Sequence, residues 1–209
     1  NCLQSFVKYS PGCNIEVIII NNRSTEFSTL NYFRELKTSN KFPFYIKVID
    51  INEPFNYSRL NNIATIYSKG DVFLLVNNDV EFITHNWAYE LASNAIRPSI
   101  GCVGAKLLYE DYTLQHAGVI LGVGGVAGHS HKYFPSSDNG FQNRLILSHE
   151  VSAVTGACLA ISRSNWDNLG GLNEKLFKVN YNDVDLCLRA RKLGLKNLLL
   201  VPLTQFQDN

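Results

Sequence analysis

An α/β fold, with a sheet covered by helices on both faces, follows from two observations. Three short apolar runs, IEVIII (15–20), FYIKVI (44–49) and DVFLLV (71–76), are rich in β-branched and aromatic residues, nearly bare of charge and bounded by polar ends. Between the second and third lies NYSRLNNIATIYSKG (56–70), where Leu60, Ile63, Ala64 and Tyr67 recur at i, i+3, i+4 and i+7 ahead of Gly70. The order is strand, crossover helix, strand. Strands without charge on either face belong to a buried parallel sheet, whose ligand crevice opens beyond the strand carboxyl ends.

The later elements carry a different signature. GCVGAKLLY (101–109), LQHAGVIL (114–121) and SAVTGACLAIS (152–162) are glycine-interrupted apolar segments, expected as strands with close backbone approach. KYFPSSDNGFQN (132–143) concentrates turn residues and is expected as a mobile loop, of a length common among lids and binding loops. KVNYNDVDLCLRARKLG (178–194) reads as a helix capped by Asn182, with Val184, Cys187, Leu188 and Leu195 on its apolar side and Gly194 as its stop. Asp183 and Asp185 fall in its first turn, where the helix dipole favours carboxylates. Asp185 has Arg189 at i+4, whereas Asp183 has Cys187 there, so local structure explains the charge of Asp183 less completely.

Composition excludes several classes. The 209 residues are 45% hydrophobic and 18% charged, the range of one globular domain. A formal net charge of +1 spread along the chain gives no footprint for nucleic acid or an anionic membrane. The five cysteines are odd in number and lack C-x-x-C spacing, which reads as reduced core thiols of a cytoplasmic protein. No apolar run approaches the roughly 20 residues that cross a bilayer. The longest, AGVILGVGGVAG (117–128), is short and glycine-rich. The first residues lack both a signal-peptide layout and an initiator methionine, as expected of a piece of a longer chain.

The third apolar run ends abruptly in VFLLVNNDVEF, placing Asn77, Asn78 and Asp79 at a strand end. One account is a turn, since Asn and Asp bond their own backbone and tolerate left-handed conformations. IEVIII ends alike, in Asn21-Asn22-Arg23-Ser24. Two strands delivering polar side chains to one edge point to a nucleotide site.

VIIINNRST, FNYSRLNN, KGDVFLLVNNDVEF, IGCVGAKLLY, LQHAGVILGVGGVAGH, VTGACLAISR, GGLNEKL and YNDVDLCLRARKLG stand in an order and spacing that resemble the family-two inverting glycosyltransferases of the GT-A fold, from residue 1 to about 201. The branch resembled builds bacterial surface polysaccharides and includes rhamnosyltransferase-like proteins. The resemblance implies a GT-A-type, Rossmann-like mixed sheet with helices on both faces, lacking the first family strand. It implies one domain over 1–209, with a nucleotide-binding half (1–100) and an acceptor and catalytic half (101–209), truncated at both ends. It also implies transfer of a hexosyl or deoxyhexosyl unit from a nucleoside-diphosphate sugar, UDP- or dTDP-linked, to a glycan or lipid-linked glycan. The setting implied is the cytoplasm at the inner face of the plasma membrane, with peripheral membrane association. No Q-x-x-R-W processivity motif occurs.

By the same resemblance Asp79 ends a D-x-D-like motif and binds Mg²⁺ or Mn²⁺, Asn78 faces the ribose, and Asn77 replaces an acid. Asn21 stands where an Asp usually contacts the pyrimidine, and Arg59 and Asn62 lie near the nucleotide or on a solvated helix face. Asp183 is the general base, preceded by Asn182 instead of a Glu and followed by Asp185, which with Asn182 is assigned to the sugars. Gly156 floors the sugar pocket or is a plain strand glycine. His129 and His131, in GHSHK, lack a third ligand nearby and receive no metal role, and His116 sits in a family motif without a derived task. The family's terminal metal-binding His has Gln207 and Asp208 in its place. These departures keep a second class open, a noncatalytic module that holds nucleotide or glycan. A sugar nucleotidyltransferase would need a glycine-rich phosphate loop that the chain lacks.

Overall fold

The computed structural model describes residues 1–10, 12–38 and 41–207, with the main chain alone at 202–205. Asp208 lies outside the described residues. The elements in order are α1 (Cys2–Tyr9), β1 (Glu16–Asn22), α2 (Phe27–Thr38), β2 (Tyr45–Ile51), α3 (Tyr57–Tyr67), β3 (Val72–Val76), β4 (Val80–Phe82), α4 (Trp87–Ala95) and β5 (Ile100–Leu108). They continue with β6 (Leu114–His116), β7 (Val119–Leu121), β8 (Ala127–His129), β9 (His149–Val151), β10 (Cys158–Ser162), α5 (Arg163–Leu169), α6 (Asn182–Lys192) and β11 (Lys196–Gln207).

Seven strands form the main sheet, in the order β3-β10-β5-β11-β4, with β6 on β5 and β9 on β11. Its centre is β5, all nine residues of which are buried. β5 runs parallel to β11 and antiparallel to β10, so the sheet is mixed. Side-chain alternation splits the core into two layers. Cys158 and Ala160 face a cluster with Phe6, Phe82, Trp87 and Leu91, under α1 and α4. Leu159, Ile161, Phe73 and Leu75 face the opposite cluster, with Trp166, Leu186 and Cys187 under α5 and α6. Each Leu, Ile or Phe side chain among these contributes about 1.5–3 kcal/mol on burial, so both faces need their helices.

The three expected early strands form, but not as one ladder. β1 and β2 pair in parallel as a sheet of their own, whereas β3 lies antiparallel to β10. The reason is that a charge-free run is equally suited to either direction when both its faces are buried; composition does not choose the partner. α3 begins as expected, with the Asn56 side chain accepting from Arg59 N–H, but ends at Tyr67, and of its expected stripe only Leu60 is buried.

Two of the three glycine-interrupted segments form shorter strands than their apolar runs, whereas the first forms all of β5 but Ile100. LQHAGVIL breaks into β6 and β7 at Gly118, whose φ of +91° lies in the left-handed region. A Cβ there would also meet Val151 at 2.8 Å. Only Cys158–Ser162 of the third segment is strand, so Gly156 lies in a turn, not within a strand. The 132–143 segment is tied by backbone bonds from Tyr133 N–H to Leu114 O, Leu114 N–H to Phe134 O and Ser136 N–H to Tyr112 O. Turn composition marked it as a loop; its pairing partner was 20 residues away and invisible to local reading. β11, which periodicity does not assign, carries a register shift between Leu200 and Thr204. All five cysteines are free, three of them buried. Among the described residues no helix is long and apolar enough to cross a membrane.

Candidate active site

The paired ends of β3 and β10 create the site. Their ladder stops at Val76 opposite Cys158, leaving two turns side by side. Asn77 N–H donates to Ala157 O at 3.0 Å, and Asn77 O accepts Val80 N–H at 3.2 Å. The triplet is therefore a turn, and its first residue, Asn77, lines a cleft of about 390 Å³ together with Tyr57, His129, Lys132, Gly156, Asp183 and others, whereas Asn78 and Asp79 stand outside that lining. Turn and site readings are compatible, because a turn is what presents the side chains.

Asp183 stands on the first turn of α6. Its Oδ2 accepts Gly156 N–H at 2.8 Å and its Oδ1 accepts Val184 N–H at 2.7 Å. Tyr57 OH donates to Gly156 O at 2.8 Å, which fixes the turn from the other side. Burial first, then the charge of Asp183, pushes the Tyr57 phenol well up, so it remains a donor. Gly156 has room for little more: a Cβ would sit 3.3 Å from the Tyr57 hydroxyl and 3.5 Å from the Asp183 Cβ.

Asn182 does not cap α6; Tyr181, with φ of +60°, holds that position. The Asn182 amide instead donates to Val179 O at 2.7 Å, and the residue is buried at the cleft floor. The difference arises because Tyr181 O already accepts Asp185 N–H, moving the helix start one residue earlier. Asp185 turns away from the cleft to pair with Arg189 Nε at 2.8 Å, and Arg189 also donates to Leu169 O and Gly171 O.

Asp79 is half-buried and Asn78 exposed. Gln207 lines the cleft and its amide lies 3.4 Å and 3.5 Å from the two Asp79 carboxylate oxygens. Among the described residues no three His, Cys, Asp or Glu side chains form a ready metal cage. The polar side chains at this corner are the Asp79 carboxylate and the Gln207 amide, with Asn77 and Asn78 preceding Asp79 in the turn. Such hard oxygens suit Mg²⁺ or Mn²⁺ when a bound diphosphate completes the coordination.

The remaining expected contacts lie apart from the cleft lining. Asn21, 8% exposed, donates to Asp50 Oδ1 at 2.7 Å and accepts Ser24 N–H at 3.1 Å, so both ends of its amide are engaged. Arg59 is clamped by Glu53 and Glu174. Asn62 bonds Leu172 O, Leu172 N–H and Glu174. Residue-level reading missed Tyr57 and Lys132. Lys132 sits 5.9 Å and 5.0 Å from the Tyr109 and Tyr133 ring centres, and hydrogen bonding to those tyrosines raises its ammonium. The signal was present, since KYF places a cation beside aromatics, but the loop label concealed it.

Comparison with known proteins completes the assignment. The chain is 46% identical over 185 residues to the uncharacterized protein y4gI of Sinorhizobium fredii and 36% identical over 185 residues to the O-antigen biosynthesis protein RfbC of Myxococcus xanthus. Those matches cover 88% of this chain but only 20% and 14% of the two relatives. The fold superposes on GalNAc-T7, crystallised with UDP, GalNAc and Mn²⁺, at a TM-score of 0.75 and 15% identity, over all of this chain and 40% of that one. It superposes on the mannosyltransferase PcManGT of Pyrobaculum calidifontis, in complex with GDP-Man and Mn²⁺, at 0.63 and 14% identity, over 92% of this chain and 47% of that one. The mixed sheet is thus that of the GT-A glycosyltransferases, and since the model for glycosyl transferase family 2 matches residues 1–170, the chain belongs to that family.

Proposed function

We propose that the chain moves a hexosyl or deoxyhexosyl unit from a nucleoside-diphosphate sugar to a hydroxyl of a glycan or lipid-linked glycan in surface-polysaccharide assembly, with inversion. One observation carries the reading. Asp183 is joined to the 77–79 turn through two consecutive backbone contacts, Gly156 N–H to Asp183 and Asn77 N–H to Ala157 O, so base and strand end border one cleft. The name of the Myxococcus relative supports the polysaccharide setting.

In this mechanism Asp183 takes the proton of the acceptor hydroxyl. The oxygen bonds to the anomeric carbon from one face while the bond to the diphosphate breaks on the other. Two N–H donors hold the carboxylate in one orientation, and a positioned base contributes about 10²–10⁴-fold. Mg²⁺ or Mn²⁺, the latter present in both structural neighbours, would be held by Asp79 with the Gln207 amide beside it, and would neutralise charge on the departing diphosphate. UDP and dTDP remain the favoured carriers, though with the Asn21 amide engaged the base meets Asp50 and Asn21 as a unit. Free thiols agree with a reducing cytoplasm, and peripheral association with the membrane would deliver a lipid-linked acceptor.

Screening nucleotide sugars for Mn²⁺-dependent thermal stabilisation identifies the donor, because a ligand bound to the folded state alone raises its melting temperature. With that donor, Asp183→Asn should lose transfer by at least about 10²-fold and keep the stabilisation. Full transfer by that variant removes the assignment. Stabilisation without transfer in the parent chain supports the second reading, a binding module, which the loss of an acid at Asn77 favours.

A further inference from the structure

We propose that His116 and His129 form a pair of fixed tautomers that presents the Nε2–H of His129 as an uncharged hydrogen-bond donor to a sugar hydroxyl beside Asp183. The inference rests on the transferase reading of the cleft.

Proton counting fixes the pair. His116 is fully buried on β6, and its Nε2 lies 3.3 Å from Gly118 N and 3.4 Å from Thr155 N. Backbone N–H groups only donate, so Nε2 must be the lone-pair nitrogen and the proton sits on Nδ1. Nδ1 of His116 is 2.7 Å from Nδ1 of His129. The proton between them belongs to His116, so His129 accepts at Nδ1 and carries its own proton on Nε2. Among the described residues that Nε2–H has no partner, and the ring lines the cleft. Gly118 is required for this arrangement, since its left-handed φ lets its N–H turn back onto the His116 ring.

The chemical consequence concerns Asp183. An imidazolium beside it would form an ion pair with the carboxylate and lower its basicity toward the acceptor proton. His129 cannot take a second proton without displacing the one supplied by His116. The groups facing His129 are Asp183 from α6, Lys132 from the loop after β8 and His116 from β6. Burial, with Lys132, holds the His129 imidazole below the usual range against the opposing pull of Asp183, and burial holds His116 well below it. A neutral N–H can hold a hydroxyl oxygen in the cleft and leave Asp183 free to accept.

Long-range proton–nitrogen correlation on the ¹⁵N-histidine-labelled 209-residue chain reads both tautomers without any substrate. The expected result is one histidine protonated at Nδ1 and one at Nε2, both neutral at pH 7 and each titrating, if at all, below the usual histidine value. An imidazolium or an Nδ1–H form at His129 at neutral pH overturns the pair. With donor and acceptor in hand, His129→Ala should lose about 2- to 10-fold in kcat/KM, the worth of one neutral hydrogen bond, and His129→Gln should recover part of it. The effect falls on the acceptor's KM if the hydroxyl is the acceptor's, and on the donor's if it is the donor's; no effect on either overturns the sugar contact. His116→Phe should add a new acidic limb to the pH profile as His129 becomes able to protonate, and an unchanged profile refutes the clamp. If that variant does not fold, the tautomer spectrum of the parent chain decides. A chain with the expected tautomers but no transfer activity would refute the transferase reading alone.

Discussion

Asp79 carries the single carboxylate of its turn, and the Gln207 amide rests against it. Asp183 is better supported, by two N–H donors and a phenol one residue removed. That contrast locates the weak point of the site at the cation corner. Gln207→Glu places a second carboxylate there, and carboxylate count is what tunes the affinity of oxygen sites. The variant is expected to bind Mn²⁺ more tightly by titration calorimetry and, without the cation, to melt lower because two acids then face each other. Asp183 was legible in the sequence because its i+4 neighbour is Cys187 and leaves its charge without a local partner. Tyr57 was not, because its role depends on a carbonyl 99 positions away.

At the scale of elements, β5 at the centre of the main sheet and α6, which holds Asp183, tolerate little change. Gly104 lies in the middle of β5 between β10 and β11, and a Cβ there would meet the Val154 side chain at 2.6 Å. Gly104→Ala should therefore destabilise by about 1–3 kcal/mol, the usual cost of overpacking. Adding Val154→Ala should recover part of the loss, a coupling that a double-mutant cycle in denaturant measures. On α6, Arg189 joins Asp185 to the carbonyls of Leu169 and Gly171, tying the helix to the end of α5. With Arg189 and Asp185 side chains 26% and 19% exposed, water screens the pair only in part. Arg189→Ala should cost about 2–3 kcal/mol in the same measurement. The i,i+4 spacing revealed this ion pair in advance; the two carbonyl bonds required the fold.

For the whole molecule, the question is how the β1–β2 pair stays on the main sheet when no ladder joins them among the described residues. Apolar packing of Ile15, Val17 and Phe44 against the α1–α4 core does part of this. Glu16 does another part, accepting from Lys69 N–H, from Ser68 Oγ at 2.8 Å and from Gly70 N–H at 3.0 Å, in the turn that leads into β3. Burial pushes the Glu16 carboxyl up, but these three donors outweigh it and hold the group below its usual 4.5. A carboxyl lowered on folding stabilises above the unfolded value and loses that contribution as pH falls through the folded one. The gap in denaturation midpoint between the parent chain and Glu16→Gln should thus be open at pH 7 and close as the solution is acidified below about pH 4.5.

The sequence by itself determined β1, β2, β3, α3 and α6, and which strand ends carry polar side chains, because burial periodicity and turn chemistry are written in neighbouring residues. Eight motifs in register also determined the family. The tertiary structure alone decided that β1 and β2 stand apart from β3, that Asn21, Asn62 and Arg59 are engaged by partners of their own, that Arg189 reaches the carbonyls of Leu169 and Gly171, and that His116 sets the proton on His129. Each of these depends on hydrogen bonds between groups far apart in the chain or across a turn, and the direction of such a bond is fixed by which donors and acceptors the fold brings within about 3 Å.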